Sequence, residues 1–449
     1  MKYVEFKECV IEAAKAKGLT EYELYYTESE DMSVEVLMHE VNKFSTSTDA
    51  GACFRCIYEG KMGYASTELF TAEDAVAIVE AAMENATVIE SADKVFIHEA
   101  GDTYQEVEEV QTTEPTSAQL IDAALSLEKK IFDLDERMQM GSETGAGFGR
   151  ASVALCNSKG LDLSCSYNYS EIVGVAIVKD GDEMYQGFKF KAGDFANFDV
   201  DAVAKETVDK ATATIGSESV ETGVYDLVFA HDMMATLLST FFSAFSADAA
   251  RRGLSLLKGK EGEMVASELV TITDDPFLAE SFVKMPFDGE GVATYCKNVV
   301  ENGKLLTLLH NLTTAHEAGV KSTGNGRKAS YASNVNILPY NFFLAPGEAG
   351  SKEDIFKTVG KGIYITALNG LHAGANPVTG DFSISSEGFM IEDGVKGRPV
   401  KHFTISGNYY ELLKKIALVG SDMELGNPRM GVCFGAPTVM VKEISVAGK

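Results

Sequence analysis

The sequence predicts an α+β protein, with an N-terminal helix and antiparallel-sheet region followed by a mostly β C-terminal domain that contains a buried helix. Helical and alternating apolar patterns follow one another without the regular spacing of βαβ units. The chain has 449 residues, 45% of them apolar, which is enough for two or three domains. Short strand patterns with Gly-rich turns dominate the second half.

The first predicted unit covers residues 1–92. Apolar side chains at helical spacing over residues 3–14 predict an amphipathic helix. Alternation over residues 33–38 and 50–58 predicts strands that pair through tight turns. A capping box that starts at Thr71 predicts a second helix.

The second predicted unit covers residues 117–216 and packs with the first as one N-terminal domain. Acidic and polar residues at 93–116 predict a linker or an exposed excursion between the two units. Ser117 is suited to cap a helix, and residues 151–191 read as a three-stranded meander. A helix over residues 203–215 closes the unit.

The third predicted unit covers residues 223–449, after a boundary near residues 216–223. A short apolar strand over residues 224–229 leads through His231 and Asp232 into a strongly apolar helix. The remainder reads as short strands, which predicts the β-rich C-terminal domain.

Composition excludes several classes of function. With 39 basic against 67 acidic residues, the formal net charge is −28, so direct binding of nucleic acid is not expected. No apolar run reaches the roughly 18 residues of a membrane span, and the N-terminus lacks the apolar region of a signal peptide. The seven cysteines are odd in number and scattered, which is typical of reduced thiols. We therefore expect a cytoplasmic protein.

Several short motifs fail the tests for the sites they suggest. Cys53 and Cys56 have no second pair, and a strand would place them on opposite faces. The run Gly145-x-Gly147-x-Gly149 has Arg150 where a dinucleotide site needs glycine. Three His-Glu pairs lack a second histidine at helical spacing and are read as surface pairs, namely those at His39, His98 and His316.

Two places retain candidate metal ligands. His231 and Asp232 join a strand end to a helix start, where side chains can face a cleft, although Asp232 could equally be a helix cap and His231 a strand-edge hydrogen-bonding residue. Cys433 stands between glycines near the C-terminus, where a small buried side chain is the alternative.

A Gly-rich polar loop around His372 is the candidate substrate-binding segment. Glycines beside polar side chains allow close backbone approach to an extended ligand, and a tight structural turn is the alternative. The candidate binding residues are Asn369, Gly370, His372, Gly374, Asn376, Thr379 and Asp381.

Several motifs follow one another in a characteristic order along nearly the whole chain. They are residues 51–55 and 63–67, Asn157-Ser158-Lys159-Gly160-Leu161, Phe287-Asp288-Gly289-Glu290-Gly291-Val292, Ser322-Thr323-Gly324-Asn325, the His372 loop and Thr404-Ile405-Ser406-Gly407-Asn408. The order of these segments resembles the TldD/PmbA (TldE) family, long described as modulators of DNA gyrase and understood as metallopeptidase subunits.

The resemblance implies a site with a specific departure from the catalytic branch. That branch, TldD, carries His-Glu-x-x-x-His and a C-terminal cysteine that complete a zinc site. Here the motif falls on His231, Asp232 and Thr236, and Cys433 matches the cysteine. Because Thr236 is no zinc ligand and Asp232 is one methylene short as a base, no catalytic residue is assigned, and His231 and Cys433 remain as metal candidates.

This departure resembles the PmbA/TldE branch, which implies a subunit without a cofactor of its own, with zinc in a TldD-like partner. Short or unfolded peptides are the implied substrates, held through backbone hydrogen bonds at a sheet edge. Two alternatives stay open. One is a self-sufficient metal-dependent peptidase that uses His231, Cys433 and His372, with Asp232 as base. The other is a homo-oligomeric peptide-binding protein.

Overall fold

The computed structural model describes all residues except 91–92, 108–111, 141–143, 282, 427 and 429–430. The N-terminal elements are α1 (Tyr3–Ala16), β1 (Tyr22–Leu37), β2 (Glu40–Tyr58), β3 (Lys61–Thr67), α2 (Ala72–Val88), α3 (Ser117–Leu134), β4 (Met138–Met140), β5 (Thr144–Asn157), β6 (Asp162–Asp180), β7 (Glu183–Gly193) and α4 (Val200–Thr212).

The C-terminal strands are β8 (Gly223–Phe229), β9 (Ile272–Asp274), β10 (Lys297–Glu301), β11 (Lys304–Leu305), β12 (Gly326–Arg327), β13 (Asn336–Ile337), β14 (Asn341–Leu344), β15 (Gly362–Asn369), β16 (Asp381–Glu392), β17 (Val395–Asn408), β18 (Ile416–Val419), β19 (Glu424–Leu425), β20 (Cys433–Ala436) and β21 (Val439–Ala447). The C-terminal helices are α5 (His231–Phe241), α6 (Ala247–Arg251), α7 (Leu312–Ala318), α8 (Lys352–Val359), α9 (Leu371–Gly374) and α10 (Tyr409–Lys414). The α+β class predicted from the sequence, with its β-rich C-terminal region, is confirmed.

One antiparallel sheet forms the N-terminal half in the order β3-β2-β1-β5-β6-β4, with β7 also paired to β6. Its central strands β1 and β5 pair along almost their full length, from Glu23 opposite Asn157 to Val36 opposite Thr144. Each half of this sheet consists of consecutive strands between two helices, α1 and α2 on one side and α3 and α4 on the other. The helices cover one face of the sheet, so the other face is turned toward the C-terminal domain.

Capping side chains fix the helix starts in this half. The box predicted at Thr71 forms, with the backbone N–H of Asp74 donating to the Thr71 hydroxyl. The predicted cap at Ser117 is wrong, because Thr116 has the extended backbone of a cap and exchanges hydrogen bonds with Gln119. Ser117 is already the first helical residue.

The C-terminal half contains two six-stranded sheets, in the orders β11-β10-β9-β14-β20-β19 and β17-β16-β15-β8-β21-β18. An additional pairing between β17 and β21 closes the second sheet on itself. Helix α5 lies in the core shared by these sheets, with Leu237, Leu238 and Phe241 at most 1% exposed. This is the buried helix that the apolar pattern predicts.

Buried charges and a crossing segment join the two halves. The Nε atom of Arg55 lies 2.7 Å from a Glu23 carboxylate oxygen, and Nη1 lies 3.5 Å from Glu290. Within the predicted linker, Tyr104 donates a 2.8 Å hydrogen bond to the carbonyl of Gly291, and Asp102 accepts from the N–H of Ala293 at 3.0 Å. This part of the linker is therefore packed against the C-terminal half, whereas its residues 108–111 lie outside the described chain.

Among the described residues, no helix has the length and apolar character that a membrane crossing requires.

Candidate functional site

A cavity of about 470 Å³ lies where α4 and β7 meet α5, β19 and β20. His231, Asp232 and Thr236 line it from the first turns of α5, and Cys433 lines it from the start of β20. We call this space the His231 cavity. The structure thus brings Cys433 to the three candidate residues of α5, about 200 positions earlier in the sequence.

Local structure explains why His231 and Asp232 face this cavity. Strand β8 ends at Phe229, which is fully buried, and the N–H of Ala230 donates to the carbonyl of Ile365 in the neighbouring strand. The chain then turns directly into α5. Ala230 occupies the cap position without a capping side chain, so the alternative in which Asp232 caps the helix is wrong. Asp232 lies in the first turn instead, where a carboxylate favours the positive end of the helix dipole.

Two of the four residues are already engaged by neighbouring groups. A carboxylate oxygen of Asp232 lies 3.0 Å from Nζ of Lys210, which α4 contributes. The Thr236 hydroxyl donates a 2.7 Å hydrogen bond to the main-chain carbonyl of Asp232, one turn earlier in the same helix. Neither side chain is presented as a free base or ligand.

The donor set does not fit a resident zinc ion. Structural and catalytic zinc sites use at least three protein ligands from histidine, cysteine and carboxylate side chains. His231 and Cys433 supply two, and the ammonium of Lys210 beside Asp232 opposes a further cation. Burial raises the pKa of the Cys433 thiol to about 11, although the charge of Arg327 acts in the opposite direction. Across the described part of the chain, no three such side chains are grouped to hold a metal ion.

A second cavity of about 650 Å³ adjoins the first along the seam between the two halves. Phe190, Pro428 and Cys433 line both spaces, so the cavities are neighbours. We call this second space the seam cavity. Its N-terminal wall includes Tyr25, Asp49, Tyr167, Tyr169 and Glu171 from the sheet, and its C-terminal wall includes Phe287, Asp288, Arg327, Tyr331 and Tyr340.

Residues of the two motifs at 287–292 and 322–325 hold the C-terminal wall of the seam cavity in place. Asp288 is 2% exposed and accepts hydrogen bonds from the N–H groups of Glu290, Val292 and Gly326. Burial raises its pKa, and the nearby charge of Glu290 adds to that effect. These bonds hold the segment before Arg327 against the loop at 288–292.

A second buried network fixes the other side of the same wall. The Asn325 amide donates to Asp274 at 2.8 Å, and Lys297 forms a 3.0 Å ion pair with the same carboxylate. The other oxygen of Asp274 accepts from the N–H of Tyr340 at 2.7 Å. The segments that carry Arg327 and Tyr340 are therefore both tied to the buried carboxylate of Asp274.

The seven candidate residues of the His372 loop lie elsewhere, on the connection from β15 through α9 to β16. Among the described residues, none of the seven lines the His231 cavity or the seam cavity. The Asn376 side chain accepts the N–H groups of Val378 and Thr379, and Thr379 donates to Asp381 at 2.8 Å. Several polar groups of the loop are thus used in hydrogen bonds that close the turn. Substrate binding by the exposed His372 remains a prediction.

The remaining sequence motifs have local roles. Cys56 packs with α1 and α2, whereas Cys53 lies beside Lys328 on the opposite face of β2, as the alternating pattern predicts. His98 lies 2.8 Å from Asp102 in the crossing segment, and His316 packs against the ring of Phe96 at 4.6 Å between centroids.

Sequence reasoning missed Lys210, Glu171, Arg327 and Tyr340, which line the two cavities. A single lysine in a helix, or a single tyrosine after a proline, belongs to no motif whose residue spacing could be recognised in the sequence. The one available signal was position, since Arg327 comes two residues after Asn325, the last residue of the Ser322-Thr323-Gly324-Asn325 motif.

Comparisons with known proteins cover nearly the whole chain. Three sequence families match in succession: PmbA/TldA metallopeptidase domain 1 over residues 22–86, the central domain over 111–215 and the C-terminal domain over 222–448. An uncharacterised protein of Methanocaldococcus jannaschii is 28% identical, covering 93% of this chain and 95% of its own length. The metalloprotease PmbA of Escherichia coli O157:H7 is 24% identical, covering 95% and 92%.

Solved structures share the fold at full length. A crystal structure from Thermotoga maritima MSB8, described as a candidate modulator of a DNA gyrase, has a TM-score of 0.90 and 30% identity, covering 99% of this chain and 100% of that one. TldE from Thermococcus kodakarensis has a TM-score of 0.89 and 25% identity, covering 98% and 99%. The three family matches and the shared fold point to the same family, and the residues of the family motif line one cavity. The chain therefore belongs to the PmbA/TldD metallopeptidase family.

Proposed function

We propose that this chain is a PmbA/TldE-like subunit of a zinc-dependent metallopeptidase, without a complete zinc site of its own, which acts on short or unfolded peptides together with a TldD-like catalytic partner. The observation that carries the proposal is the state of the His231 cavity. Its two engaged residues, Asp232 and Thr236, occupy the positions at which the catalytic branch has a base and a ligand.

The chemistry of the side chains at those two positions favours a non-catalytic role for this chain. A threonine hydroxyl is not among the usual zinc ligands, and this one is bonded within its own helix. A carboxylate oxygen that already pairs with the Lys210 ammonium at 3.0 Å is engaged and is poorly placed to orient a water molecule as a base. The likeness to the TldE structure over nearly the whole chain agrees with this assignment.

Zinc analysis and peptide hydrolysis test the proposal. The chain is purified alone and after coexpression with a TldD-like protein from the same source, and both samples are assayed with and without a chelator. We expect zinc and chelator-sensitive activity in the mixture and neither in the lone chain. Stoichiometric zinc and activity in the lone chain would instead support a self-sufficient peptidase. A stable homo-oligomer that does not bind the TldD-like protein would support the alternative of a homo-oligomeric peptide-binding protein.

A gain-of-function variant sharpens the test. The double substitution Asp232→Glu with Thr236→His restores His-Glu-x-x-x-His on α5, beside Cys433 in the same cavity. We expect this variant to bind zinc when purified alone, whereas Asp232→Glu with Thr236→Val serves as the matched control without the added ligand. If the control binds as much zinc as the restored variant, the missing ligand is not what distinguishes this chain.

A further inference from the structure

Arg327 places a positive charge in the seam cavity without a carboxylate partner in the described part of the chain. Its Nη2 atom donates to the carbonyl of Gly431 at 2.9 Å, and Nη1 donates to the carbonyl of Pro339. The guanidinium also lies over the ring of Tyr340, 4.4 Å from its centroid. Since a guanidinium has five N–H donors, about three of them remain for another acceptor.

The environment of this guanidinium suits an organic anion. Burial raises the pKa of Tyr25, Tyr167 and Tyr340, and the charge of Arg327 acts in the opposite direction at each hydroxyl, so the guanidinium lies near all three rings. Lys328 also lines the seam cavity, with its ammonium 5.0 Å from the centroid of the Tyr25 ring. Aromatic walls with cations beside them are typical of sites that orient a ligand with a carboxylate and apolar groups.

Acidic side chains line another part of the same cavity. Asp49 and Glu171 both line it, and Asp31 lies beside them on the sheet face. Burial and the neighbouring charge of Asp31 raise the pKa of Glu171, and burial and the charge of Asp49 raise that of Asp31. Asp31 lies between the strands that carry Asp49 and Glu171, and a cation from outside the chain would relieve the repulsion among these like charges. The cavity therefore has a basic part at Arg327 and an acidic part at Glu171.

We infer that the seam cavity binds the C-terminal end of a peptide, with Arg327 receiving the terminal carboxylate and with Asp49 and Glu171 facing the peptide's amino or basic groups. A volume of about 650 Å³ lies in the range of small-ligand sites and is suited to a few residues. The choice of a peptide as ligand rests on the proposed function. The site itself belongs to this chain and adjoins the His231 cavity through Cys433.

Calorimetric titration of the lone full-length chain tests the inference. The probes are the tripeptide Ala-Phe-Ala with a free carboxylate, the same peptide as its C-terminal amide, and the N-acetylated free acid. We expect the free acid to bind at least about tenfold more tightly than the amide, because the amide removes the charge that a bidentate arginine contact needs. N-acetylation should weaken binding less, through loss of the contact with Asp49 and Glu171.

Substitutions assign the effect to the two parts of the cavity. Arg327→Met should sharply reduce the preference for the free acid, with Lys328 as the cation that remains in the cavity, and Arg327→Lys should keep more of the preference because the charge stays at position 327. Glu171→Gln should reduce the penalty of N-acetylation, since Asp49 remains, and leave the preference for the free acid unchanged. Arg252→Met is the matched control, since Arg252 pairs with Asp248 outside the cavity.

Equal binding of the free acid and the amide by the wild-type chain, or no binding of either, overturns the inference without depending on any variant. A chelator is present throughout, so the result does not depend on zinc. Failure of this site therefore differs from failure of the proposed function, which would appear as zinc and activity in the lone chain.

Discussion

Single buried charges decide how the two halves of this molecule meet. Arg55 is 3% exposed and lies between Glu23 of the N-terminal sheet and Glu290 of the C-terminal domain. The second oxygen of Glu290 accepts from the N–H of Leu312 at 2.8 Å, which extends the contact to α7. Removing one member of such a group leaves the others charged and buried, which costs more than the intact group contributes.

Arg55→Met is therefore expected to destabilise the fold by about 3–5 kcal/mol, because Glu23 and Glu290 lose their shared cation in a buried place. The midpoint of urea unfolding measures this. Arg398→Met is the control, since Arg398 is exposed and pairs with Glu218 at the surface, where the effect should be far smaller. Equal shifts for the two variants would show that Arg55 is not holding the seam.

Glu171 gives a pH-dependent prediction with a defined sign. Its pKa in the folded chain is raised above the ordinary 4.5, first by burial and then by the charge of Asp31. The folded state therefore binds a proton more readily than the unfolded state, and stability falls as the pH rises from about 4.5 through the folded pKa. Glu171→Gln removes this cost. We expect a higher melting temperature than wild type at pH 8 and no gain at pH 4.

Melting curves at both values of pH check this, with Glu411→Gln as a surface control, because Glu411 pairs only with Lys414 on the exposed side of α10. A lower melting temperature for Glu171→Gln at pH 8 would contradict the raised pKa. The expected gain also agrees with a carboxylate that is kept for binding at a cost in stability.

At the scale of elements, each half of the N-terminal sheet has a glycine at a point where a helix packs closely on a strand. The last full strand on each side carries a glycine that faces a helix, Gly63 of β3 against α2 and Gly187 of β7 against α4. A Cβ atom at Gly63 would overlap the carbonyl oxygen of Ala82, and one at Gly187 would overlap that of Thr207. Bare backbone at these two points lets each helix approach the sheet closely.

Gly63→Ala and Gly187→Ala should each destabilise the protein by about 1–3 kcal/mol, because helix and strand must separate to admit the methyl group. Thermal unfolding measures the change. Gly223→Ala is the matched control, since the nearest atom there belongs to the side-chain ring of Tyr225, at 3.3 Å, and not to the backbone of a packed helix. A control that melts as low as the two test variants would point to a general effect of replacing glycine.

Element types were largely predictable, whereas their lengths were not. The apolar patterns predict α1, α2 and α5 because each buries a continuous stripe, and the alternation before Asn157 predicts β5. The pattern at Ser33 predicts only the last part of β1, which runs from Tyr22 to Leu37. Exposed polar residues in its middle break the alternation, and pairing with both β2 and β5 keeps them in the strand.

For the whole molecule, the segment around Tyr104 acts as a strap between the halves. The carbonyl of His98 accepts from Asn157 of β5 at 2.9 Å, and Tyr104 and Asp102 bond to the loop at 291–293. Glu290, which pairs with Arg55, directly precedes this loop. The strap and the ion pairs therefore fix the segment that follows Phe287, Asp288 and Gly289 in the wall of the seam cavity.

Tyr104→Phe removes one hydrogen bond from the strap, with an expected loss of about 1 kcal/mol. We expect faster hydrogen exchange at residues 287–294, measured by mass spectrometry, with little change in the N-terminal sheet. Tyr225→Phe is the control, because its hydroxyl donates to Glu221 on the surface of the C-terminal half. Unchanged exchange at 287–294 would show that the strap does not support this loop.

The sequence by itself determined the α+β class, the family resemblance and the candidate residues His231, Asp232, Thr236 and Cys433, because local periodicity and motif order are written along the chain. Tertiary structure alone decided that Cys433 shares one cavity with the other three, that Lys210 pairs with Asp232, and that Arg327 lies against the Tyr340 ring and two backbone carbonyls without a carboxylate partner among the described residues. Each of those facts depends on contacts between separate segments of the chain, and such contacts arise only when the sheets and helices pack.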